Sequence, residues 1–512
     1  MLKAIISVID HPVAVDSFFY HLTDGGQAPG SLLYESQDEQ AAYTGFSIGI
    51  YQPSLCLSGK NEHFCYQALD GRGEQLLQQL TIHSAAQRIE KTPLKIIGKL
   101  VPDLSQTHLQ ARLSAANHLQ LLQSLLMSIE VDPAYAQLPL GLFGGFAYDF
   151  MRQFEQIPHA SHDAMQDDDY CFYLATRLFI VDHTMKKTFL ISLIPQENSI
   201  DEAEKDIHHM LTVMQERRSI AFGEVRLGEL TSDTTESDYL KNVEKLKKHI
   251  YRGDAFQIQY GRMLSADFAG DAYKVYTTLK KLNPSPYMFY MRDQHGVLLG
   301  CSPELNIRVN HADKGERQVT LSPIAGTKPR GFKNGVICPE LDQRYAIALQ
   351  TDAKELAEHV MLIDLVRNDV AAIAKTGTVL VTESFSIKKF SHVQHLVSRV
   401  IGLLKDNVDA LTAYLATMNM GTLTGAPKVR AMQLIAEAET NEHGYFGGGF
   451  GFVTHDGKLE TTIVIRSMRI KQGKVYLRAA AGIVADSVAE SEWLETEMKM
   501  KACIRALEGA SK

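Results

Sequence analysis

The pattern of hydrophobic and polar positions changes partway along the chain. Residues 1–215 carry short apolar runs between polar loops, such as 171–181 and 188–194, and these runs predict strands. Residues 217–236 are polar and rich in turn-forming residues. We therefore expect an internal boundary there, with an N-terminal region over 1–215 and a larger region over 237–512.

Helical periodicity is strongest in the larger region. One helix is predicted at about 237–252, with Ser237 as its N-cap and Gly253 at its end. Further helices are predicted at 352–374, 408–418, 427–439 and 490–508. Strands are predicted at 297–310, 447–455, 460–470 and 474–480. The strands of 447–480 follow one another as a meander, which favours antiparallel pairing in an α+β fold.

The composition is that of an ordinary globular protein. With 512 residues the chain is long for one hydrophobic core, and 45% of its residues are hydrophobic. A net charge of −8 without a long basic run argues against a nucleic-acid partner. No apolar stretch is long enough to cross a membrane, and the first apolar run ends at Asp10, too early for a signal peptide. The six cysteines are scattered without metal-ligand spacing, so we expect a cytoplasmic protein with reduced thiols.

The segment Pro323-Ile-Ala-Gly-Thr has the composition of a loop that brings backbone close to a ligand. Pro323 fixes φ, Gly326 lacks a Cβ that would block the approach, and Thr327 offers a hydroxyl. Ala325 can act neither as a nucleophile nor as a base, so any nucleophile must come from elsewhere. An ordinary tight turn is the alternative interpretation.

Acidic side chains occur among apolar residues on two predicted helices. Glu358 lies mid-helix, and Glu495 and Lys499 share a face of the last helix at a spacing of four. Two glutamates on separate helices, with positions left for water and ligand, suit Mg²⁺ bound to an anionic substrate. A solvated helix surface with an ion pair is the alternative.

Three further residues stand out because of their surroundings. Arg466 lies in an apolar strand pattern, where a guanidinium needs a carboxylate, either a substrate's or the protein's own. His395 lies in apolar sequence, where a histidine is more often a core residue than a catalytic one. Thr422 is in a turn before a helix begun near Pro427, and the turn offers donors to an anion or simply starts the helix.

Several blocks, taken together and in order, resemble the chorismate-utilising enzyme family. They are Pro323-Ile-Ala-Gly-Thr-Lys-Pro-Arg-Gly, Asp364-Leu-Val-Arg-Asn-Asp, His395-Leu-Val-Ser-Arg, Gly421-Thr-Leu-Thr-Gly-Ala-Pro-Lys-Val-Arg-Ala-Met and Ile463-Val-Ile-Arg-Ser. The resemblance covers essentially the whole chain and is strongest to the large subunits of anthranilate synthases. It implies an α+β fold of two stacked, sandwich-like sheets flanked by helices, chorismate as the substrate and Mg²⁺ as the cofactor.

The resemblance also implies roles for individual residues. The metal ligands would be Glu358 and Glu495. The groups that bind or line the substrate would be Gly326, Thr327, Phe446, Arg466, Gly482 and Lys499. The catalytic residues would be Glu304, near the amination site, and His395 and Thr422, beside the departing C4 hydroxyl.

Regulation by tryptophan is implied by two matching segments. Glu35 and Ser36 would hold the effector's ammonium group, and Pro286, Tyr287 and Met288 would form a wall for its indole ring. A strand end and a turn are the alternative interpretation. The chain contains no cysteine nucleophile elbow of a glutaminase, so ammonia from glutamine requires a separate glutamine amidotransferase subunit.

Two positions distinguish between sibling reactions. Relatives that make aminodeoxychorismate usually carry lysine where Ala325 stands, and isochorismate and salicylate synthases carry a water-activating lysine where Gln257 stands. Both differences favour attack of ammonia at C2 of chorismate, followed by loss of pyruvate to give anthranilate. The alternatives are a synthase that stops at aminodeoxyisochorismate, an aminodeoxychorismate synthase, and a catalytically inactive tryptophan-binding regulator.

Three departures from the family pattern concern the pocket. Phe446 stands where a tyrosine is usual, and Ala480 replaces a usual glycine beside the carboxylate-binding backbone. Gln259-Tyr-Gly261 differs from the common strand sequence. We expect these three differences to change contacts in the substrate pocket and the efficiency of pyruvate elimination.

Overall fold

The computed structural model describes residues 1–35, 45–106, 108–126, 129–195, 200–216, 218–390 and 393–512. Its strands are β1 Leu2–Ile9, β2 Leu32–Glu35, β3 Phe46–Ile50, β4 Leu55–Lys60, β5 His63–Ala68, β6 Gln87–Lys91, β7 Lys95–Lys99, β8 Ile129–Glu130, β9 Gly141–Phe146, β10 Tyr170–Leu174, β11 Arg177–Asp182, β12 Lys187–Pro195, β13 Val225–Leu227, β14 Thr231–Ser232, β15 Gln257–Gly270, β16 Tyr287–Arg292, β17 Gly296–Ser302, β18 Leu305–His311, β19 Arg317–Leu321, β20 Ile324–Pro329, β21 Phe332–Lys333, β22 Val336–Ile337, β23 Leu380–Lys389, β24 Val393–Leu403, β25 Gly425–Ala426, β26 Gly449–Thr454, β27 Leu459–Ile463, β28 Ser467–Lys471 and β29 Lys474–Ile483.

Its α-helices are α1 Val15–Leu22, α2 Gly71–Gln79, α3 Leu109–Ser114, α4 Leu119–Leu125, α5 Ile200–Gln215, α6 Glu236–Tyr251, α7 Ala272–Leu282, α8 Pro339–Gln350, α9 Ala353–Ile373, α10 Ala410–Thr417, α11 Lys428–Ala438 and α12 Ala489–Ala510. None of these helices is both long enough and apolar enough to cross a membrane.

Two large sheets contain almost all of the described strands. The first has the order β13-β15-β29-β28-β17-β16-β2-β3-β11-β12-β1-β8, and the second has the order β20-β24-β19-β18-β27-β26-β9-β10-β4-β5-β7-β6. The short β14 and β25 add to β15, and β23 adds to β24. The strands β1 and β8 run parallel, whereas their neighbours in both sheets pair antiparallel. This arrangement confirms the expected α+β class with two stacked sheets.

Strand alternation explains how the first sheet is covered on both faces. Tyr34 and Phe289 point toward the second sheet, where the ring of Phe289 stacks on that of Phe450 at a centroid distance of 4.7 Å. Leu33 and Met288 point the other way, into a core shared with α1, α5, α7 and α12. Because successive side chains of a strand face opposite sides, one apolar run supplies both cores.

Both sheets combine strands from the two regions that the composition predicts. In the first sheet β2 pairs with β16, and in the second β9 pairs with β26. The polar segment 217–236 contributes the short strands β13 and β14 to the edge of the first sheet. The predicted boundary therefore lies within a shared pair of sheets.

Three strands predicted as single runs are wrong, because each is two strands in different sheets. The run 171–181 is β10 and β11, the run 297–310 is β17 and β18, and the run 460–470 is β27 and β28. The predicted meander is therefore broken where the chain passes from one sheet to the other. Both sheets are buried at these points, so the hydrophobic pattern continues through the crossing and does not reveal it.

The predicted helices are confirmed, with one different start. The side chain of Asp352 caps α9 by accepting from the backbone N–H of Lys354 and Glu355. The N-cap of α6 is Thr235 and not Ser237, because the Thr235 hydroxyl accepts from the N–H of Asp238 at 3.2 Å. Gly253 follows α6 with φ +83°, as a helix-ending glycine does.

Candidate active site

Two crossings between the sheets lie side by side, joined by backbone hydrogen bonds. Glu304 lies in the crossing from β17 to β18, and Arg466 lies in the crossing from β27 to β28. The N–H of Ile463 donates to the carbonyl oxygen of Glu304 at 3.1 Å, and the N–H of Cys301 donates to that of Arg466 at 3.2 Å. These backbone hydrogen bonds hold Glu304 and Arg466 where the chain passes between the two sheets.

Arg466 does not lie within a strand, contrary to the prediction. Its φ of 52° places it in the left-handed region, which costs a non-glycine residue about 1 kcal/mol or more. Burial lowers the pKa of its guanidinium. Within the described ranges, no protein group hydrogen-bonds or ion-pairs with this guanidinium. A half-buried cation held in a strained crossing is suited to an anionic ligand.

Glu304 is a buried carboxyl group with one close hydroxyl partner. The Thr422 hydroxyl donates to its Oε1 atom at 3.0 Å, so the structure brings these two predicted residues together. Burial raises the pKa of Glu304 to about 8. Glu304 therefore carries a proton at neutral pH and can donate it.

The segment 323–327 is not an isolated loop, because strand β20 begins at Ile324, directly after Pro323. It pairs with β24, and the register shifts between Ala325 and Thr327. Gly326 adopts φ +66°, and a Cβ there would lie 2.8 Å from Oε2 of Glu355 on α9. The positive φ favours glycine at this position, and a Cβ would also displace the end of the Glu355 side chain. The N–H of Ile324 donates to Glu304, which ties this strand to the crossing.

His395 faces the same segment from β24. Its Nδ1 atom lies 3.1 Å from the carbonyl oxygen of Gly326 and 3.0 Å from Oγ1 of Thr327. A carbonyl only accepts, so Nδ1 carries the hydrogen and Nε2 keeps its lone pair. Burial lowers the pKa of His395 to about 4. The imidazole is therefore neutral at pH 7 and acts as a proton acceptor.

Four carboxylates on two helices face one another beside this centre. Glu355 and Glu358 lie on α9, and Glu492 and Glu495 lie on α12. Burial raises the pKa of Glu358, and the charges of the other three raise it further. The sequence predicts Glu358 and Glu495 as ligands but not their neighbours three residues earlier. The identical i, i+3 spacing on both helices was the available signal.

Two lysines partly balance these carboxylates. Lys499 Nζ lies 2.6 Å from Oε1 of Glu495 and donates to the carbonyl oxygen of Ala480 at 2.7 Å. Lys354 Nζ lies 3.7 Å from Oε1 of Glu358. Across the described part of the chain, no three acidic, histidine or cysteine side chains converge at metal-binding distance. A cation here would complete its coordination with water and substrate.

Gly482 lies in β29 against two glutamines of β15. A Cβ at Gly482 would lie 2.5 Å from Nε2 of Gln257 and 3.0 Å from Nε2 of Gln259. The Oε1 atom of Gln257 is buried without a hydrogen-bond partner in the described residues. The sequence drew attention to Gln257 only because some relatives carry a lysine at this position. It did not predict that Gln257 and Gln259 both face Gly482. Phe446 is buried, with its ring 6.0 Å from that of His443.

The predicted effector residues are only partly brought together. Glu35 in β2 pairs with Met288 in β16, and both side chains face the same side. Glu35 is buried, accepts from the Tyr276 hydroxyl, and lies 2.6 Å from Nζ of Lys280. An internal ammonium group therefore already neutralises this carboxylate.

Strand alternation separates Tyr287 from Met288. Tyr287 faces the second sheet, with its ring centroid 6.3 Å from that of Tyr34, whereas Met288 faces the helices. The two side chains cannot form one continuous wall. Pro286 precedes β16. Ser36 lies outside the described residues.

Comparisons with known proteins point to one family. A model of the chorismate binding enzyme family matches residues 62–505. The chain is 38% identical to anthranilate synthase component 1 of Escherichia coli strain K12, over 97% of this chain and 95% of that protein. It is 37% identical to anthranilate synthase component 1 of Buchnera aphidicola subsp. Acyrthosiphon pisum, over 96% of this chain and 94% of that protein.

Solved structures agree with these sequence matches. Anthranilate synthase component I from Streptococcus pneumoniae TIGR4 is similar with a TM-score of 0.69 and 27% identity, covering 92% of this chain and 95% of that one. The menaquinone-specific isochorismate synthase MenF from Escherichia coli has a TM-score of 0.65 at 17% identity, covering 99% of this chain and 95% of that one. The second similarity concerns the fold alone.

Proposed function

We propose that this chain, which belongs to the chorismate binding enzyme family, is the synthase subunit that converts chorismate and ammonia into anthranilate, the first step of tryptophan biosynthesis. Relatives named anthranilate synthase component 1 match it over nearly their full length. The observation that carries the reaction is that one strand, β20, holds both an acid and a base: the N–H of Ile324 donates to Glu304, which burial keeps protonated, and the carbonyl oxygen of Gly326 lies 3.1 Å from Nδ1 of the neutral His395. One acid and one base are what amination followed by elimination requires.

The substrate's two carboxylates suit the two cations of the site, Arg466 and Lys499, of which Lys499 also contacts Glu495. Arg466 has no acidic partner in the described residues and offers a planar pair of donors. Lys499 lies on α12 and already donates to backbone beside Gly482. We assign the substrate's carboxylates to Arg466, to Lys499 and to the backbone at Gly482, with Gly326, Thr327 and Phe446 lining the ring.

A magnesium ion fits the acidic cluster between α9 and α12. The mutual repulsion that raises the pKa of Glu358 is relieved by a divalent cation. We assign Glu358 and Glu495 as its ligands, with Glu355 and Glu492 hydrogen-bonding the water around it. When bound, Mg²⁺ withdraws electron density from the ring through the carboxylate that it contacts.

Glu304 and His395 then divide the proton transfers. Ammonia adds at C2, the ring double bonds shift, and the C–O bond at C4 breaks while Glu304, supported by Thr422, protonates the hydroxyl that leaves as water. The new ammonium group then returns a proton to the Glu304 carboxylate. In the second step Nε2 of His395 accepts the C2 proton, the bond between ring carbon C3 and the enolpyruvyl oxygen breaks, and the ring becomes aromatic. The released enolate takes up a proton at its methylene carbon and becomes pyruvate. The family resemblance predicts that His395 serves the loss of the C4 hydroxyl. Its neutral imidazole suits the later proton abstraction better.

The sibling reactions are less well supported by the residues present. A covalent route through a lysine is impossible at Ala325, and Gln257 cannot activate water as a base. A synthase that stops at aminodeoxyisochorismate has no use for the neutral base at His395. A catalytically inactive regulator would not need the complete set of catalytic and metal-binding residues that this chain carries.

Product analysis tests this function. The chain is incubated with chorismate, Mg²⁺ and ammonium chloride, and the products are identified by mass, anthranilate fluorescence and pyruvate assay. We expect anthranilate and pyruvate in equal amounts. Aminodeoxyisochorismate without pyruvate, or a product aminated at C4, would contradict the proposal.

A glutamine amidotransferase subunit is the partner that supplies ammonia. Relatives named component 1 imply a second component, and this chain lacks a glutaminase nucleophile elbow. The six cysteines are unpaired thiols, which fits the reducing cytoplasm. We expect activity with ammonium chloride alone, and activity with glutamine only after the partner is added. Glutamine use by the purified chain would contradict this partnership.

Tryptophan is the proposed inhibitor, and Glu35 is its proposed anchor. Because Lys280 already neutralises Glu35, an effector's ammonium group must displace that lysine to reach the carboxylate. We therefore expect Lys280→Met to lower the tryptophan concentration for half-inhibition and Glu35→Gln to raise it. Inhibition curves with the exposed Lys281→Met as a control test this, and no inhibition of the unsubstituted chain by tryptophan would refute it.

A further inference from the structure

A glutamine side chain without a protein partner lies over the part of the pocket wall that is assigned to a substrate carboxylate. Gln259 in β15 pairs with Gly482 in β29, and a Cβ at Gly482 would lie 3.0 Å from the Nε2 atom of Gln259. Gln259 is 7% exposed, and no group in the described part of the chain hydrogen-bonds its side chain. Burying an amide without a partner is unfavourable, so this side chain is suited to a ligand.

Strand alternation places the side chain of Gln259 between the two sheets. Its neighbours Ile258 and Tyr260 pack in a core with α6 and α11, on the outer face of the first sheet. Because successive side chains of a strand face opposite sides, Gln259 faces inward, as Ala480 does on the neighbouring strand. The amide therefore points into the space between the sheets.

The backbone of Gln259 is joined to the turn that contains Thr422. Its N–H donates to the carbonyl oxygen of Thr424 at 2.9 Å, and the preceding residues Gln257 and Ile258 pair with β25, which follows this turn. The Thr422 hydroxyl contacts Glu304. These contacts hold Gln259 beside the acid of the site.

Two departures from the family pattern, Gly261 and Ala480, meet in the same wall. They pair across β15 and β29, and a Cβ at Gly261 would lie 3.2 Å from the Cβ of Ala480. The methyl group of Ala480 therefore takes the space that a side chain at position 261 would need. This part of the wall is apolar, so the polar side chains beside Gly482 are those of the two glutamines of β15.

A carboxylate over Gly482 has room for more donors than Lys499. Lys499 donates to the carbonyl oxygen of Ala480, two residues from Gly482 and therefore about 6.6 Å along the strand. The charge of Lys499 is partly neutralised by Glu495, at 2.6 Å. A carboxylate accepts about four hydrogen bonds, so it can accept from the neutral amide of Gln259 in addition to Lys499.

We propose that Gln259 is a substrate-binding residue of this chain, and that its Nε2 atom donates to the chorismate carboxylate held over Gly482. The proposal rests on the proposed function, since it takes chorismate as the ligand. The family resemblance does not imply this donor, because Gln259 lies in the strand segment that departs from the family pattern.

Substitution of Gln259 by methionine tests the contact. Methionine has a side chain of similar length and donates no hydrogen bond. Gln318→Met is the matched control, because Gln318 is half-buried in β19 and pairs with Leu403, eight residues and so about 26 Å along β24 from His395. The dissociation constant of chorismate is measured by equilibrium dialysis with Mg²⁺ and without ammonium. We expect it to rise roughly tenfold or more in Gln259→Met and less than twofold in Gln318→Met.

Steady-state kinetics separate binding from a structural effect. With ammonium chloride as the nitrogen source, the KM for chorismate should rise by the same factor in Gln259→Met. The kcat should change less than twofold, because a hydrogen bond made equally in the substrate complex and the transition state affects binding alone. Gln259→Glu places a second carboxylate against the substrate and should raise KM at least about 100-fold. Melting temperatures check that the variants are folded.

A double variant identifies the group that the amide contacts. If Gln259 and Lys499 donate to one carboxylate, their effects on affinity are coupled. We therefore expect the loss of affinity in Gln259→Met combined with Lys499→Met to be smaller than the product of the two single losses.

Three outcomes would overturn the contact. The first is a dissociation constant in Gln259→Met within twofold of the original, as expected if a structural water satisfies the amide. The second is a lower kcat at unchanged KM, which would assign Gln259 to the chemical step. The third is fully independent losses in the double variant, which would place the amide on another part of the substrate. A chain that binds chorismate through Gln259 but makes no anthranilate would support the contact and contradict the proposed function alone.

Discussion

The Nδ1 atom of His395 lies 3.1 Å from the carbonyl oxygen of Gly326. This contact fixes the tautomer of the imidazole and leaves Nε2 as an acceptor. The contact also shows what the segment around Ala325 contributes to the site. The segment carries no reactive side chain of its own, and it orients His395 through its backbone while the N–H of Ile324 holds Glu304.

His395→Gln should stop the reaction after amination. Glutamine keeps a polar side chain but accepts no proton, so anthranilate formation should fall at least about 100-fold while the aminated intermediate accumulates. Mass spectrometry of the products measures both effects. Anthranilate formed at the original rate would show that another group takes the C2 proton.

The acid limb of the pH profile should lie well below neutral pH. The pKa of His395 is lowered to about 4, so its imidazole stays neutral, and able to accept a proton, down to about that pH. Activity that depends on His395 should therefore persist at pH 5.5, where an unperturbed histidine would be mostly protonated. A single-turnover profile with an inflection near 6.5 would contradict this.

Glu304→Gln should reduce the rate and increase stability. The acid form supplies the proton and is lost as pH rises through about 8, so activity should fall on the alkaline side. Because the folded pKa is raised, folding disfavours the ionised form, and the stability of the natural chain should decline from about pH 4.5 toward 8. Glutamine removes that cost, worth up to roughly 3 kcal/mol at pH 7.

Denaturant unfolding at pH 5 and pH 8 tests the stability effect. The difference between Glu304→Gln and the natural chain should grow with pH. Thr422→Val serves as a control, since it removes the hydroxyl partner and leaves the carboxyl group. A difference in unfolding free energy that does not change with pH would exclude a raised pKa at Glu304.

Removing either proposed metal ligand should weaken magnesium binding. Glu358→Gln and Glu495→Gln should each raise the Mg²⁺ concentration for half-maximal activity at least about 10-fold, whereas the exposed Glu490→Gln at the start of α12 should not. Titration of activity with MgCl₂ after treatment with a chelator makes the comparison. Equal magnesium dependence in all four proteins would place the metal elsewhere.

Arg466→Lys should weaken substrate binding more than turnover. Lysine keeps the charge but loses the planar pair of donors, at a cost of about 2 kcal/mol, or roughly 30-fold in KM for chorismate. The exposed Arg505→Lys is the matched control on the same protein. A KM that is unchanged while kcat falls would assign Arg466 to the chemical step.

Much of the fold and of the candidate site could be predicted from the sequence. The helix at Ala353–Ile373, its cap at Asp352 and the glutamate at 358 follow from local periodicity and capping, which a short window of sequence contains. The α+β class and the family could be predicted because several family-like sequence motifs occur in the expected order along the chain. The separation of Tyr287 from Met288 could also be predicted from the sequence, because adjacent residues of a strand face opposite sides of the sheet.

Only the tertiary structure decided where the strands change sheets and which charges meet. The apolar runs continue through the crossings at Glu304 and Arg466 because both sheets are buried there, so no local pattern marks the break. The pKa shifts of Glu304 and His395 arise from burial by segments distant in sequence. Local sequence specifies secondary structure and capping, whereas desolvation and through-space charge depend on neighbours that only folding brings together.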